Sequence, residues 1–448
     1  MKIRSLEVAG HPALPKQTLE LSAFEGTQVH YLVGPNGSGK TTALELLHHM
    51  VAATGTALLP VGGEATVRLF DPNKSDLSEV TRTTKHPDRN VWKKTEESVT
   101  ANARLVSSEF SEDFSGSVVL SGVEVNFGAA RIQTKGVEMP PTGATTDIAE
   151  KLHTAIPQLI VNIDDDDNLR KIAAIEAADG TGEIPDLASG LLLPRFTEAY
   201  DEVMDDHKAF GRIERGADRF RIVFEDSNGD ECESNDLSTG EKQIIYRLGF
   251  IVKNLKALGD GIVLLDEPEL GLHPRWQQKF MLVLKRLFRG TNMQVIIATH
   301  SPYIFKDFDH GSEECLFMDR HHEVAEKVDL RVGGAAHAPS SALVSFKAFG
   351  IPTPELHYDL FARLQVRAQK PQIAGFDSWL VAEGLAQTDR SVAQNGTVTD
   401  ANGRIFSADE TDPVWIRNAY SHPDITGRCK PTDADLTRSI DAMLRLLA

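Results

Sequence analysis

Three short runs are mainly apolar: Gln28–Val33, Gly261–Leu265 and Gln294–Thr299. Runs of this length, closed by glycine, by carboxylates or by a polar tripeptide, predict strands buried on both faces, the pattern of a parallel sheet flanked by helices. Helical periodicity follows them over Thr42–Met50 and 274–289. Elsewhere the pattern alternates. Lys2–Val8 and Thr18–Leu21 predict antiparallel strands separated by a turn at His11-Pro12. Thr66–Phe70, Ser117–Leu120, Val123–Phe127 and Phe220–Phe224 predict further strands, the last entering a hairpin turn at Ser227–Asp230. Gln158–Ile163 predicts a core strand, and Asp164–Asp167 a solvated acidic turn after it. Periodicity returns over 169–178 and 187–212. It returns again after Gln243, where Ile244, Ile245, Leu248, Ile251, Val252 and Leu255 share one side of a helix. Glu314–Met318 predicts a last strand.

Beyond about residue 335 the pattern becomes mainly helical. Helices are expected over 341–349 and 355–369, and a capping box at Thr432–Asp435 opens a closing amphipathic helix through Leu436, Ile440, Met443, Leu444 and Leu447. The expected division is therefore 1–335, with 61–200 as an inserted lobe holding a Pro/Gly/Thr-rich linker at 136–150, followed by a helical module over 336–448.

Composition narrows this picture at few points. A net charge of −18 argues against a nucleic-acid binder that uses its whole surface, although a local basic groove is compatible with it. The polar stretch 71–104 carries Arg82, Lys85, Arg89, Trp92, Lys93 and Lys94. A solvated loop is the favoured reading there over a nucleic-acid contact. Cys232, Cys315 and Cys429 are far apart, without zinc or redox spacing, which fits a reducing cytoplasm. No run approaches the roughly 20 apolar residues of a membrane helix, and the N-terminus has no apolar signal core.

The candidate chemistry sits at the ends of the buried runs. Gly34-Pro35-Asn36-Gly37-Ser38-Gly39-Lys40-Thr41 has the spacing G-x-x-x-x-G-K-[ST] between a strand and a helix. Glycines let backbone N–H groups turn inward around phosphate oxygens, and the helix N-terminus adds partial positive charge at the same point. Asp266 and Glu267 end a buried strand; two adjacent carboxylates at such a place normally need a cation to offset their repulsion. His300 follows another buried strand.

With Leu237–Gln243, these pieces form an ordered set. Gly34–Thr41 resembles Walker A, Leu237–Gln243 the ABC signature, Ile262–Glu267 Walker B, and Thr299-His300-Ser301 the switch-histidine strand. The set resembles the ABC-type ATPases that include the structural-maintenance-of-chromosomes, RecF and overcoming-lysogenization-defect proteins, over about 1–60 and 215–320. The expected fold is thus α/β, an ABC-type P-loop ATPase head with an inserted lobe and a helical C-terminal module. The resemblance implies ATP and Mg²⁺ as ligands. Gly34 to Thr42 would hold the nucleotide, with Lys40 at the β- and γ-phosphates. Thr41 and Asp266 would hold Mg²⁺, Glu267 would activate water, and His300 would bond the γ-phosphate. It also implies that Ser238, Thr239 and Gly240 face the nucleotide of a second subunit, giving a homodimer or higher even oligomer, with Glu269–Pro274 at the dimer-contacting loop. The glutamine loop of the class falls within 60–165, with Gln158 a candidate.

No long heptad array separates Lys40 from Ser238, so a chromosome-tethering arm is not expected. The motifs resemble more closely the compact ATPases of Septu-type and retron-linked anti-phage systems, in which the ATPase is paired with a separate nuclease. A second reading starts from Arg417 and His422, whose spacing resembles the R-x₄₋₆-H pattern of HEPN ribonucleases; the alternative is that both are structural. A third is a RecF-like DNA-repair ATPase acting on a nucleic-acid target.

Overall fold

The computed structural model describes residues 2–51, 63–70, 77–83, 90–94, 118–121, 146–147, 155–177, 191–204, 208–216, 220–234, 236–258, 261–333, 338–391, 398–399, 405–406, 409–422 and 428–448. The chain forms two compact units, 1–328 and 329–448.

In the first unit the strands are β1 (Lys2–Ala9), β2 (Lys16–Glu20), β3 (Gln28–Val33), β4 (Glu64–Phe70), β5 (Leu77–Thr83), β6 (Asn90–Lys94), β7 (Val118–Ser121), β8 (Thr146–Asp147), β9 (Lys208–Arg215), β10 (Phe220–Asp226), β11 (Glu231–Glu233), β12 (Ile262–Asp266), β13 (Gln294–Ala298), β14 (Glu313–Phe317) and β15 (Glu326–Lys327). Its helices are α1 (Lys40–Val51), α2 (Ala155–Ala177), α3 (Leu192–Met204), α4 (Thr239–Leu258) and α5 (Pro274–Leu287).

The three apolar runs become β3, β12 and β13, buried at every position. They lie side by side in a seven-stranded sheet of order β15-β14-β3-β13-β12-β7-β8. Every pairing in it is parallel except that of β15 with β14. Asp266 pairs with Ala298 and Ala298 with Leu32, so the carboxyl ends of β12, β13 and β3 are level. A second sheet, β2-β1-β4-β5-β6, is antiparallel, and β11-β10-β9 forms a third. The α/β class and the buried parallel strands expected from the sequence are the architecture observed, with one antiparallel edge strand, β15.

Several expectations change. Gln158–Ile163 is not a strand but part of α2. A short apolar run does not by itself distinguish a buried strand from a buried helix segment. Here the run packs against the signature helix: a Cβ added to Gly249 of α4 would stand 2.8 Å from Leu159 Cδ2. Asp164–Asp167 are not a turn either. On a helix successive side chains diverge. Asp164 and Asp165 pair with Arg215, and buried Asp167 accepts the N–H groups of Leu192 and Leu193 at 2.8 and 2.7 Å, capping α3. The helical expectation over 187–212 ends at Met204, since Lys208–Arg215 is β9. Within 71–104, residues 77–83 and 90–94 are strands rather than loop. The strand expected at 123–127 lies outside the described residues, as does the 136–150 linker apart from Thr146–Asp147.

The second unit contains α6 (Ser341–Phe349), α7 (Pro354–Ala368), α8 (Ile373–Ala382), α9 (Asp412–Ser421) and α10 (Asp433–Leu447), with short two-stranded pairings. The capping box at Thr432 and Asp435 is present in both directions. Its core joins Leu343, Leu356, Leu360, Phe361, Phe376, Trp415, Ile440 and Met443. No helix among the described residues is long and apolar enough to cross a membrane.

Candidate nucleotide site

Level strand ends bring the separate motifs together. A cleft of about 590 Å³ is lined by Ala13, Asn36, Gly37, Gly39, Lys40, Thr41, Thr42, Glu267 and His300. It opens at the carboxyl edge of the parallel strands, where ligand sites of α/β sheets lie.

The loop between β3 and α1 holds its shape because three glycines adopt positive φ, 150° at Gly34, 78° at Gly37 and 92° at Gly39. Lys40 folds back over it, donating to Gly34 O at 2.9 Å and Pro35 O at 3.1 Å. Burial holds the Lys40 ammonium below its usual value, opposed by the charges of Glu267, Asp266 and Glu269. A partly desolvated cation facing loop N–H groups suits a polyanion that enters from the cleft.

Asp266 is buried at the end of β12, and its Oδ1 has no hydrogen-bond partner among the described residues. Burial pushes its carboxyl up to about 6; the Thr41 hydroxyl, bonded to it, opposes that shift, Glu267 adds to it, and Arg247 opposes it. A buried carboxylate oxygen left without a hydrogen bond among the described residues, beside a threonine hydroxyl at the mouth of the glycine loop, fits a hard divalent cation that keeps most of its ligands as water and phosphate. No cluster of three or more His, Cys, Asp or Glu side chains that could form an all-protein cage occurs among the described residues.

Glu267 stands just past the strand with φ 42°, and its Oε1 lies 3.2 Å from His300 Nε2. Burial and then the Lys40 charge hold His300 below the usual imidazole value, against the pull of Glu267. A third carboxylate completes the arrangement. Buried Glu269 accepts from the Thr299 hydroxyl at 2.6 Å and the His300 N–H at 2.8 Å, through one oxygen. Burial pushes its carboxyl up, opposed by those bonds.

The signature residues do not line this cleft. Ser238 and Thr239 are exposed at the start of α4, and Gly240 packs so closely on Gly271 that an added Cβ would stand 2.8 Å from its carbonyl oxygen. Glu241 accepts the Ser238 N–H at 2.5 Å and pairs with Lys208 at 3.0 Å. Gln158 is outside the cleft as well. It sits within α2 and donates to Asn162 at 3.0 Å, so it is not a loop glutamine. Two participants were not singled out from sequence, Arg247 and the tether made by Glu269. Arg247 shares the mostly apolar α4 with Gln243 at i−4, and the i, i+4 polar pair on a buried face was the available signal.

In the second unit, Arg417 Nη1 lies 3.3 Å from His422 Nε2 at the end of α9. Arg417 also donates to Asn418 at 2.9 Å. Asn418 donates to Glu410 at 2.7 Å, and Glu410 pairs with buried Arg428 at 3.0 Å.

Residues 144–306 match an AAA-domain family model. Its full description is "AAA domain, putative AbiEii toxin, Type IV TA system". Among curated proteins, the chain is similar to "Retron Vc95 probable ATPase" of Vibrio cholerae serotype O1 biovar El Tor, with 41% identity over 17% of this chain and 16% of that one. It is similar to "Retron Ec83 probable ATPase" of Escherichia coli, with 38% identity over 19% and 17% of the two chains. It is also similar to "Septu protein PtuA" of Bacillus thuringiensis, with 32% identity over 23% and 27%. The matched segments thus span about a quarter or less of those relatives' lengths. These matches agree with the resemblance to defence-system ATPases carried by the motifs. Among solved structures, similar chains include an SMC head domain from Thermotoga maritima (TM-score 0.40, 13% identity, 74% of this chain and 100% of that one). Another is an SmcHead bound to the C-winged helix domain of ScpA (TM-score 0.48, 14% identity, 73% and 98%).

Proposed function

We propose that this chain is a cytoplasmic ABC-class ATPase that binds ATP with Mg²⁺, dimerises around it, and controls a nuclease in anti-phage defence. The observation that carries the reading is the meeting of Lys40, Thr41, Glu267 and His300 in one cleft, although they come from three separate motifs.

In this reading the loop N–H groups from Gly34 to Thr42 and the α1 N-terminus hold the phosphates, and Lys40 leaves its loop carbonyls for the terminal phosphates. Thr41 and Asp266 would hold Mg²⁺, which offsets charge on the transferred phosphoryl group. Glu267 orients the attacking water and accepts its proton. His300, kept largely neutral, donates to the γ-phosphate, and Glu269 fixes its backbone. Exposed Ser238 and Thr239 would complete the site of a second copy. The nuclease assignment rests on the resemblance of the motifs to the ATPases of Septu-type and retron-linked systems.

The test is ATP hydrolysis together with solution mass, with and without ATP and Mg²⁺, for wild type, Lys40→Ala and Glu267→Gln. Lys40→Ala is expected to lose binding. Glu267→Gln is expected to bind ATP, dimerise and lose hydrolysis by at least about 100-fold. Hydrolysis by Glu267→Gln near the wild-type rate would refute the assignment.

The adjacency of Arg417 and His422 favours a second reading, an ATP-regulated HEPN-like ribonuclease within the chain, with His422 as acid/base and Arg417 on the phosphate. RNA cleavage lost in His422→Ala would support it. Absence of cleavage by wild type would assign the effector to a separate nuclease subunit.

A further inference from the structure

Arg247 is the largest fully buried side chain among the described residues. It lies on α4, the helix that starts at the signature loop. Its guanidinium donates to Gln243 Oε1 at 3.3 Å on its own helix and to Ser121 Oγ at 3.0 Å on β7. It also donates to the carbonyl oxygens of Asp266 and Glu267, at 3.4 and 3.3 Å. One planar cation thus joins the signature helix, the neighbouring strand and the backbone that carries both acidic residues of the cleft.

Stability alone does not account for it. Burying a guanidinium carries a large desolvation penalty, and well-packed apolar side chains commonly replace buried charges without loss of stability. What the cation does accomplish concerns Glu267. That residue and Gln369 are the two non-glycine positions with positive φ among the described residues. Such a backbone persists when its surroundings over-determine it. The Glu267 N–H donates to Ala298 O at 2.9 Å on one side. On the other, the carbonyls before and after its Cα are both held by Arg247. The clamped backbone leaves the carboxylate 3.2 Å from His300.

We propose that Arg247 is a positioning residue for Glu267, linking the signature helix to the carboxylate that activates water. The inference rests on the ATPase reading. The guanidinium fork reaches two carbonyls and a hydroxyl at once, a geometry that a lysine ammonium cannot reproduce. Loss of the clamp lets Glu267 relax from its left-handed backbone, which withdraws the base but leaves the phosphate loop intact.

The experiment measures ATP affinity, ATP-dependent dimerisation and kcat for wild type, Glu267→Gln, Arg247→Met and Arg247→Lys. Arg247→Met is expected to bind ATP within about threefold of wild type while kcat falls at least about tenfold, since small misplacements of catalytic groups have effects of that size. Arg247→Lys is expected to recover part of kcat. An unchanged kcat in Arg247→Met, or ATP affinity and kcat falling by the same factor, would overturn the proposal. If Arg247→Met does not fold, Ser121→Ala and Gln243→Leu each remove one partner and keep the cation. A fall in kcat at unchanged ATP affinity in either supports the clamp, and wild-type kcat in both overturns it. Wild type that fails to hydrolyse ATP would refute the ATPase reading itself. Hydrolysis that is lost in Glu267→Gln yet intact in Arg247→Met would refute only the clamp.

Discussion

At the scale of single residues, the glycines of the loop between β3 and α1 are not equivalent. A Cβ on Gly34 would stand 2.1 Å from Met318 O, a backbone atom that cannot swing away, whereas a Cβ on Gly37 meets nothing among the described residues within 4 Å. Gly37→Ala should therefore cost only the left-handed backbone term, ~1–2 kcal/mol, and Gly34→Ala clearly more. Thermal melts decide this, and equal shifts in melting temperature would contradict it. Glu269 offers a second contrast. Glu269→Leu leaves the Thr299 hydroxyl and the His300 N–H without their acceptor. Hydrolysis should fall by roughly tenfold or more with ATP affinity retained; a parallel loss of affinity would assign Glu269 to folding instead. The loop glycines were legible in the sequence because their spacing is local chemistry. Glu269 and Arg247 were not legible in their roles, because what they hold lies on strands distant in sequence.

At the scale of elements, the apolar run at Gln158–Ile163 read as a strand and proved to be the start of α2. Strand runs and buried helix segments share a composition, and only the partner distinguishes them. Here the partner is α4, which accepts the helix closely at Gly249. The acidic run behaves likewise. Asp167 is buried and caps α3 through two N–H groups. Asp167→Ala should cost about 0.5–2 kcal/mol, the range for loss of an N-terminal capping side chain. Urea denaturation measures the total, and hydrogen exchange at the Leu192 and Leu193 amides should quicken. Unchanged exchange there would show that the cap is not needed. By contrast, β3, β12, β13, α4 and the final capped helix α10 were all legible, since each is long or strongly patterned and ends in a residue with a definite local role.

At the scale of the whole molecule, buried titratable groups set how stability responds to acid. Burial pushes His357 of the second unit down to about 4, while its Nε2 shares a hydrogen bond with Ser439 at 3.0 Å. The unfolded chain takes up this proton near pH 6.5. Between about pH 6.5 and 4 it therefore binds more protons than the folded chain, and stability falls as pH drops, by up to ~3 kcal/mol. Asp266, held at about 6 when folded, acts in the opposite sense between its ordinary value and pH 6. The comparison should therefore be between wild type and His357→Gln in the full chain. The variant is expected to lose less stability from pH 6.5 to 4; parallel curves would refute the assignment.

Local chemistry in the chain was enough to specify the glycine-rich loop, the buried strands, their acidic and histidine termini and the capped helices, because each depends on neighbours a few residues away. The convergence of those termini in one cleft was settled by the order β3-β13-β12 and its register, which level three strand ends drawn from both halves of the first unit. The same long-range packing turned an apparent strand into α2, kept Ser238 and Thr239 out of the cleft, and buried Arg247 behind Glu267. Those outcomes follow from contacts between residues remote in sequence, which no local pattern of polar and apolar positions encodes.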